Sequence, residues 1–121
     1  RCKTHTVFSK VNIIRKARCD MMKLLALYKT PEDIDAFMTH YRDVHLPIAR
    51  TIPGLVKSEV TRVNSTLMGE SGNFLLAELF FEDEASYKAA MKSPENAAAG
   101  KDLMGFAGKL VTLMKGEVLE I

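Results

Sequence analysis

The sequence predicts an α+β fold, a ferredoxin-like βαββαβ sandwich with a four-stranded antiparallel sheet. Three observations carry that expectation. Apolar runs and capped helical patterns alternate as strand, helix, strand, strand, helix, strand within about a hundred residues. The helical segments suffice to cover only one face of a sheet. The run Phe74 to Phe81 is apolar on both faces except at Glu78, which marks a central strand buried on both sides.

Taken in order, Met22 to Tyr28 is a short, mostly apolar run suited to a strand. Thr30-Pro31-Glu32-Asp33 opens the first helix, with Thr30 as the cap, Pro31 at the first helical position and Asp33 completing a capping-box pattern. Steps of about 100° per residue place Ile34, Phe37, Met38, Tyr41, Val44 and Ile48 on one face, with His45 between Met38 and Tyr41 in angle. Pro47 biases Leu46 away from helix and is expected to end the element there. His40 is rotated about 140° from His45, so the two share no face of a regular helix and make no helical metal pair. Ile52-Pro53-Gly54 forms a turn. Val56, Ser58, Val60 and Arg62 then alternate with Lys57, Glu59, Thr61 and Val63, as in a partly exposed strand. Asn64 to Asn73, with Gly69 and Gly72, is a hairpin loop leading to the central strand. Asp83-Glu84 starts a second helix through Tyr87, Ala90 and Met91, and Ser93-Pro94-Glu95 restarts one after a break. Gly105 and Gly108 then lead into a last strand, Leu110 to Met114.

The chain of 121 residues is long enough for one domain, and 47% hydrophobic with 26% charged residues is a globular composition. The net charge of +2 hides an asymmetry: residues 1–20 hold six Lys/Arg against one acid, and the remainder holds eleven against fourteen. Residues 1–20 also carry both cysteines and no capped periodic element. They are expected to be a basic N-terminal extension, either a disordered or non-native stretch or a transit-type targeting segment, ahead of a folded domain over residues 21–121. No run approaches the roughly 18 apolar residues of a membrane helix. Beyond Cys19 there is no cysteine for a disulfide, a thiolate nucleophile or an iron–sulfur cluster, which suits a cytoplasmic protein.

If helices cover one face, the other face carries Phe74, Leu76, Phe80 and their neighbours, more apolar surface than a monomer leaves wet. A second copy would cover it and shelter the strand edges. A homodimer built around a shared interior follows, which is the architecture of a dimeric α+β barrel.

His40-Tyr41-Arg42, His45-Leu46-Pro47 and Ile52-Pro53-Gly54-Leu55, following a strand and a capped helix, resemble the EthD family, named from ethyl tert-butyl ether degradation, within the dimeric α+β barrel superfamily. Phe80-Phe81-Glu82-Asp83, Ser93-Pro94-Glu95, Asp102 and Phe106 resemble its second half, so the similarity spans about Met22 to Ile121. Tyr41 departs from the family pattern, which has an aromatic, usually Trp, after the first His. The resemblance implies oxidative catabolism of small molecules. Relatives on the same barrel include cofactor-free monooxygenases, isomerases and dehydratases, and the fold alone does not choose among them. His40, Tyr41, Arg42, His45 and Pro47 are the positions the resemblance carries over, with Pro47 structural.

The chemistry therefore rests on few residues. His45 is the first catalytic candidate, as a general acid or base of near-neutral pKa; the competing explanation is a buried histidine favoured by the negative end of its helix. Glu78 is the second, because a carboxylate among Phe74, Leu76 and Phe80 must be paired, hydrogen-bonded or raised in pKa; the competing explanation is a cation on a neighbouring strand, such as Arg62. Tyr41 at i−4 from His45, His40 and Arg42 are substrate-binding candidates, Arg42 alternatively being a surface ion-pair partner.

Other classes lack their signatures. Strand aromatics alternate with acid on a mildly acidic body, against nucleic-acid binding. No phosphate loop, dinucleotide fingerprint or nucleophile elbow occurs, and no cofactor or metal is assigned. The expected partners are a second copy and a small apolar organic ligand held in the barrel interior, with a partner oxygenase if electrons must move. The expected function is a cofactor-independent oxidoreductase-type or accessory enzyme. The alternatives are a non-catalytic binding or assembly module and an isomerase- or dehydratase-type proton-transfer enzyme.

Overall fold

Strand β1 (Met22–Lys29) occupies the middle of a four-stranded antiparallel sheet in a computed structural model that describes residues 21–121. The expectation for residues 1–20 falls outside the described residues. The sheet order is β2-β3-β1-β4, with β2 spanning Leu55–Arg62, β3 Asn73–Phe81 and β4 Val111–Glu117. The two most apolar strands are thus the two inner ones. Alternation along β1 sends Leu24, Ala26 and Tyr28 to the helix side and Lys23, Leu25 and Leu27 to the other.

Helix α1 begins later and ends later than the sequence suggests. Asp33, not Thr30, is its cap, accepting from the Ala36 amide at 3.0 Å. Thr30 is still engaged as a strand extension, its amide and hydroxyl both donating to the Gly72 carbonyl. Regular helix runs over Ile34–His40, widens into a π turn over Tyr41–His45, and resumes over Leu46–Ala49. Pro47 therefore does not end the helix at Leu46. It offers no amide and its ring crowds the carbonyl four residues back; the widened turn before it, in which the Leu46 amide reaches the Tyr41 carbonyl, accommodates both. Val44, expected on the buried face, is exposed as a consequence.

Gly54, in the left-handed region at φ +83°, turns the chain into β2. A register shift between Tyr28 and Lys29 leaves Phe74 without a partner on β1. This bulge turns Phe74 to the helix side, edge-on to Phe37 at 5.8 Å, so it does not belong to the open sheet face as strict alternation predicts. Asp83 caps α2 (Glu84–Met91) through the Ser86 amide, and Ser93 caps α3 (Pro94–Ala107) through the Asn96 amide. α3 continues through Gly105 and closes at Gly108, so only the second glycine breaks it.

All three helices pack on one face. One core cluster gathers Tyr28, Phe37, Tyr41, Phe74, Leu75 and Leu103, and a second gathers Ala49, Ile52, Phe81, Tyr87, Ala90 and Ala99. The opposite face carries Leu25, Leu27, Leu76, Glu78 and Phe80. No described helix is long and apolar enough to cross a membrane.

Candidate functional site

The π turn decides the site. Five residues per hydrogen-bonded step bring His40 and His45 onto the same side of α1, where a regular helix would separate them. Both meet one carboxylate, Asp102 on α3: His40 Nε2 lies 2.9 Å from Oδ1 and His45 Nδ1 lies 3.0 Å from Oδ2. The sequence-based expectation that these histidines share no helical face fails because it assumed 3.6 residues per turn throughout. Phe106, one turn along α3 from Asp102, lies against both rings, with centroids 4.3 Å from His40 and 5.3 Å from His45.

The histidines differ in surroundings. The His45 side chain is 9% exposed and that of His40 35%. Burial lowers the His45 pKa from its ordinary value, against the raising effect of its bond to Asp102. Burial pushes the Asp102 carboxyl up, but the bonds from His40 and His45 outweigh it and hold the group below the usual carboxylate range. The ionised Asp102 can only accept, so neutral His45 keeps its ring proton on Nδ1 and donates it to the carboxylate, which leaves Nε2 as the basic nitrogen.

His45 lines a cavity of about 150 Å³ between the sheet and helices α1 and α3. Its walls are mostly apolar, including Leu24, Ala26, Leu79 and Leu103. Tyr28 and Tyr41 also line it, and their side chains are almost wholly buried. Among the described residues neither tyrosine hydroxyl has a hydrogen-bond partner. Buried hydroxyls normally have one. Burial raises the Tyr28 pKa and pushes that of Tyr41 up to about 12, so both remain donors at neutral pH. Arg50, Ser58, Glu59 and Asn96 are the other polar residues on its lining.

Of the residues singled out in the sequence, His40, Tyr41 and His45 are brought together. Arg42 is not: it is exposed and pairs with Asp43 at 3.2 Å. Glu78 lies on the opposite face of the sheet, where Lys23 of β1, not Arg62, binds it at 2.7 Å. Arg62 instead lies over the Phe74 ring. Glu78 and His45 therefore do not face a common space within one chain: the cavity that His45 lines lies under the helices, on the other side of the sheet from Glu78. Asp102 and Tyr28 escaped selection as site residues. Asp102 is an acid among Ala99, Leu103 and Phe106 on the buried side of α3, a legible signal. Tyr28 closes an apolar strand and reads as core. No group of three or more His, Cys, Asp or Glu arranged to hold a metal ion occurs among the described residues.

The family model for the EthD domain matches residues 29–109. An uncharacterised 11.0 kDa protein of the thcB-thcC intergenic region of Rhodococcus erythropolis is 31% identical over 94 residues, 78% of this chain and 91% of that protein. The crystal structure of an ethyl tert-butyl ether degradation family protein from Bacillus halodurans C-125 is 49% identical, covers 82% of this chain and 99% of that one, and superposes with a TM-score of 0.78. A dimeric ferredoxin-like protein of unknown function from Jannaschia sp. CCS1 shares the fold at 18% identity, covering 81% of this chain and 99% of that one with a TM-score of 0.60.

Proposed function

Because this chain belongs to the EthD family, we propose that it is a cofactor-independent enzyme of small-molecule catabolism in the cytoplasm, one that moves a proton on a small, largely apolar organic compound bearing an oxygen acceptor. The observation that carries this is that an Asp102-bound His45 and two tyrosines whose hydroxyls have no partner among the described residues line one mostly apolar cavity.

Each part has a task. A cavity of about 150 Å³ suits one benzene-sized ring or a short branched skeleton. Tyr28 and Tyr41 donate to an oxygen of the ligand, and such donors matter most when charge develops on that oxygen. His45 Nε2 takes the proton while Asp102 steadies the imidazolium that results. A C–H or O–H bond of the substrate breaks, its proton passes to Nε2, and the electron pair stays on the substrate as an enolate or phenolate. Return of the proton to another atom, loss of a leaving group, or reaction with dioxygen then distinguishes isomerase, dehydratase and oxygenase chemistry. A homodimer joined through the open sheet faces belongs to the same proposal, and it leaves the cavity under the helices clear. An oxygenase partner enters only if this chain supplies or consumes the anion without handling oxygen itself.

The test is a panel of small phenols and ketones incubated with the protein in deuterium oxide, with C–H exchange followed by proton NMR. Exchange on at least one compound is expected, falling by roughly two orders of magnitude in His45→Gln, the lower range for losing a general base. Saturable binding in the cavity with no exchange on any compound would instead identify a binding module.

A further inference from the structure

We propose that His40 is a positioning residue for this site: it fixes the Asp102 carboxylate for His45 and, once protonated, draws the carboxylate charge away from the cavity toward solvent. This rests on His45 being the working group of the cavity, and it adds a control that the cavity itself does not contain.

The geometry supplies one negative charge to two imidazoles. Each Asp102 oxygen is held by one ring, at 2.9 Å and 3.0 Å, and both rings come from the same helix across its π turn. With His40 on Oδ1, the carboxylate cannot rotate freely, so Oδ2 stays on His45 Nδ1 and the basic Nε2 tautomer persists. Phe106 restrains both rings from the α3 side. The two ends of this hydrogen-bonded chain face different surroundings: His45 lines the cavity under the helices, while His40, Lys101, Asp102 and Phe106 line a more open depression on the outer surface.

A carboxylate can be the full counterion of only one imidazolium at a time. While His40 is neutral, Asp102 is free to stabilise the cation that His45 forms when it takes a proton. When His40 takes a proton from solvent, the charge is shared and the His45 cation loses support, an effect of the expected sign on His45. The other ionisable groups around the pair are few. Lys101 flanks His40 in the outer depression, Tyr41 lies beside His45 on its own helix, and Tyr28 approaches from β1. Arg50 acts on Tyr41, and Arg42 is turned outward to Asp43. None of these bridges the two rings as Asp102 does.

The test is a pH titration of the full chain labelled with ¹⁵N in histidine, read by two-bond correlations that show which ring nitrogen holds the proton. In the wild-type chain neutral His45 is expected as the Nδ1–H form, and its titration should depend on that of His40 and occupy more than one step. His40→Gln, whose amide can still donate to Asp102, should leave the tautomer in place, collapse the His45 curve to one step and raise its midpoint. Asp102→Asn should abolish the tautomer preference. A His45 curve superimposable between wild type and His40→Gln overturns the proposal. If that variant does not fold, the wild-type curves decide alone, since two independent single-step titrations overturn it equally. Neither result touches the exchange assay on His45→Gln, so the coupling and the catalytic role fail separately.

Discussion

The two faces of the sheet treat their polar groups in opposite ways. On the open face every prominent charge has a neighbour: Lys23 binds Glu78, Lys57 binds Glu59, and both lysine ammonium groups lie over the Phe80 ring, which they help to bury. On the helix-covered face, Tyr28 and Tyr41 keep hydroxyls with no described partner at the wall of a cavity, and His45 keeps Nε2 without one. Folding alone favours the first arrangement, since an unmade bond at a buried group costs about 1–3 kcal/mol. The second is maintained at a cost to stability, and such a cost is expected where a ligand completes the bonds.

The sharpest way to break this contrast is to remove a hydroxyl. Tyr41→Phe should lower turnover by roughly 10²-fold, the scale of losing one donor to a developing oxyanion, while raising stability by about 1 kcal/mol because a buried unsatisfied group disappears. Tyr28→Phe should behave alike. Turnover on an active compound and urea unfolding are the two measurements. A loss of stability in both variants would mean that the hydroxyls are satisfied in the folded protein, and the difference between the faces would vanish.

Most of the fold is legible in the sequence because it depends on residue periods. The double-sided apolarity of β3, the Asp83 and Ser93 caps and the turn at Gly54 all report local chemistry that needs no tertiary information. The site depends on departures from period. The Tyr41–His45 π turn moves His40 by one position around the helix, and the Phe74 bulge moves an aromatic from one face to the other. Both arise where a regular element meets something it cannot absorb, an internal proline in one case and a register shift in the other. Pairing of His40 and His45 through Asp102 also spans 62 and 57 residues of chain, a distance no helical wheel registers.

Acid should expose the same contrast at intermediate size. His45 has a folded-state pKa below its ordinary 6.5, so the folded state resists its protonation; the stability this gives is complete above that value and declines as pH falls through the lowered one. Asp102, held below 3.8, adds a second loss only under stronger acid. The melting temperature is therefore expected to fall between pH 7.5 and pH 5, and His45→Gln should flatten that part of the profile. An unchanged slope in the variant would place the acid sensitivity elsewhere.

The smallest effects should come from the open face, and they sharpen the comparison by their size. Glu78 looks chemical in the sequence, a lone carboxylate among Leu76 and Phe80, yet Lys23 at 2.7 Å already answers it and the sheet separates it from His45. Glu78→Gln keeps the shape and weakens a partly exposed ion pair, a change of about 0.2–1 kcal/mol. Turnover should stay within about twofold. Leu25→Glu, beside it on β1 and paired with Glu78 across the strands, instead places a new negative charge in the middle of the face. In sedimentation at micromolar concentration it should shift a homodimer toward monomer, whereas Glu78→Gln should not. If Glu78→Gln removes turnover while the dimer persists, the open face carries chemistry after all, across the interface between two copies, and the assignment of all the chemistry to the helix-covered side is wrong.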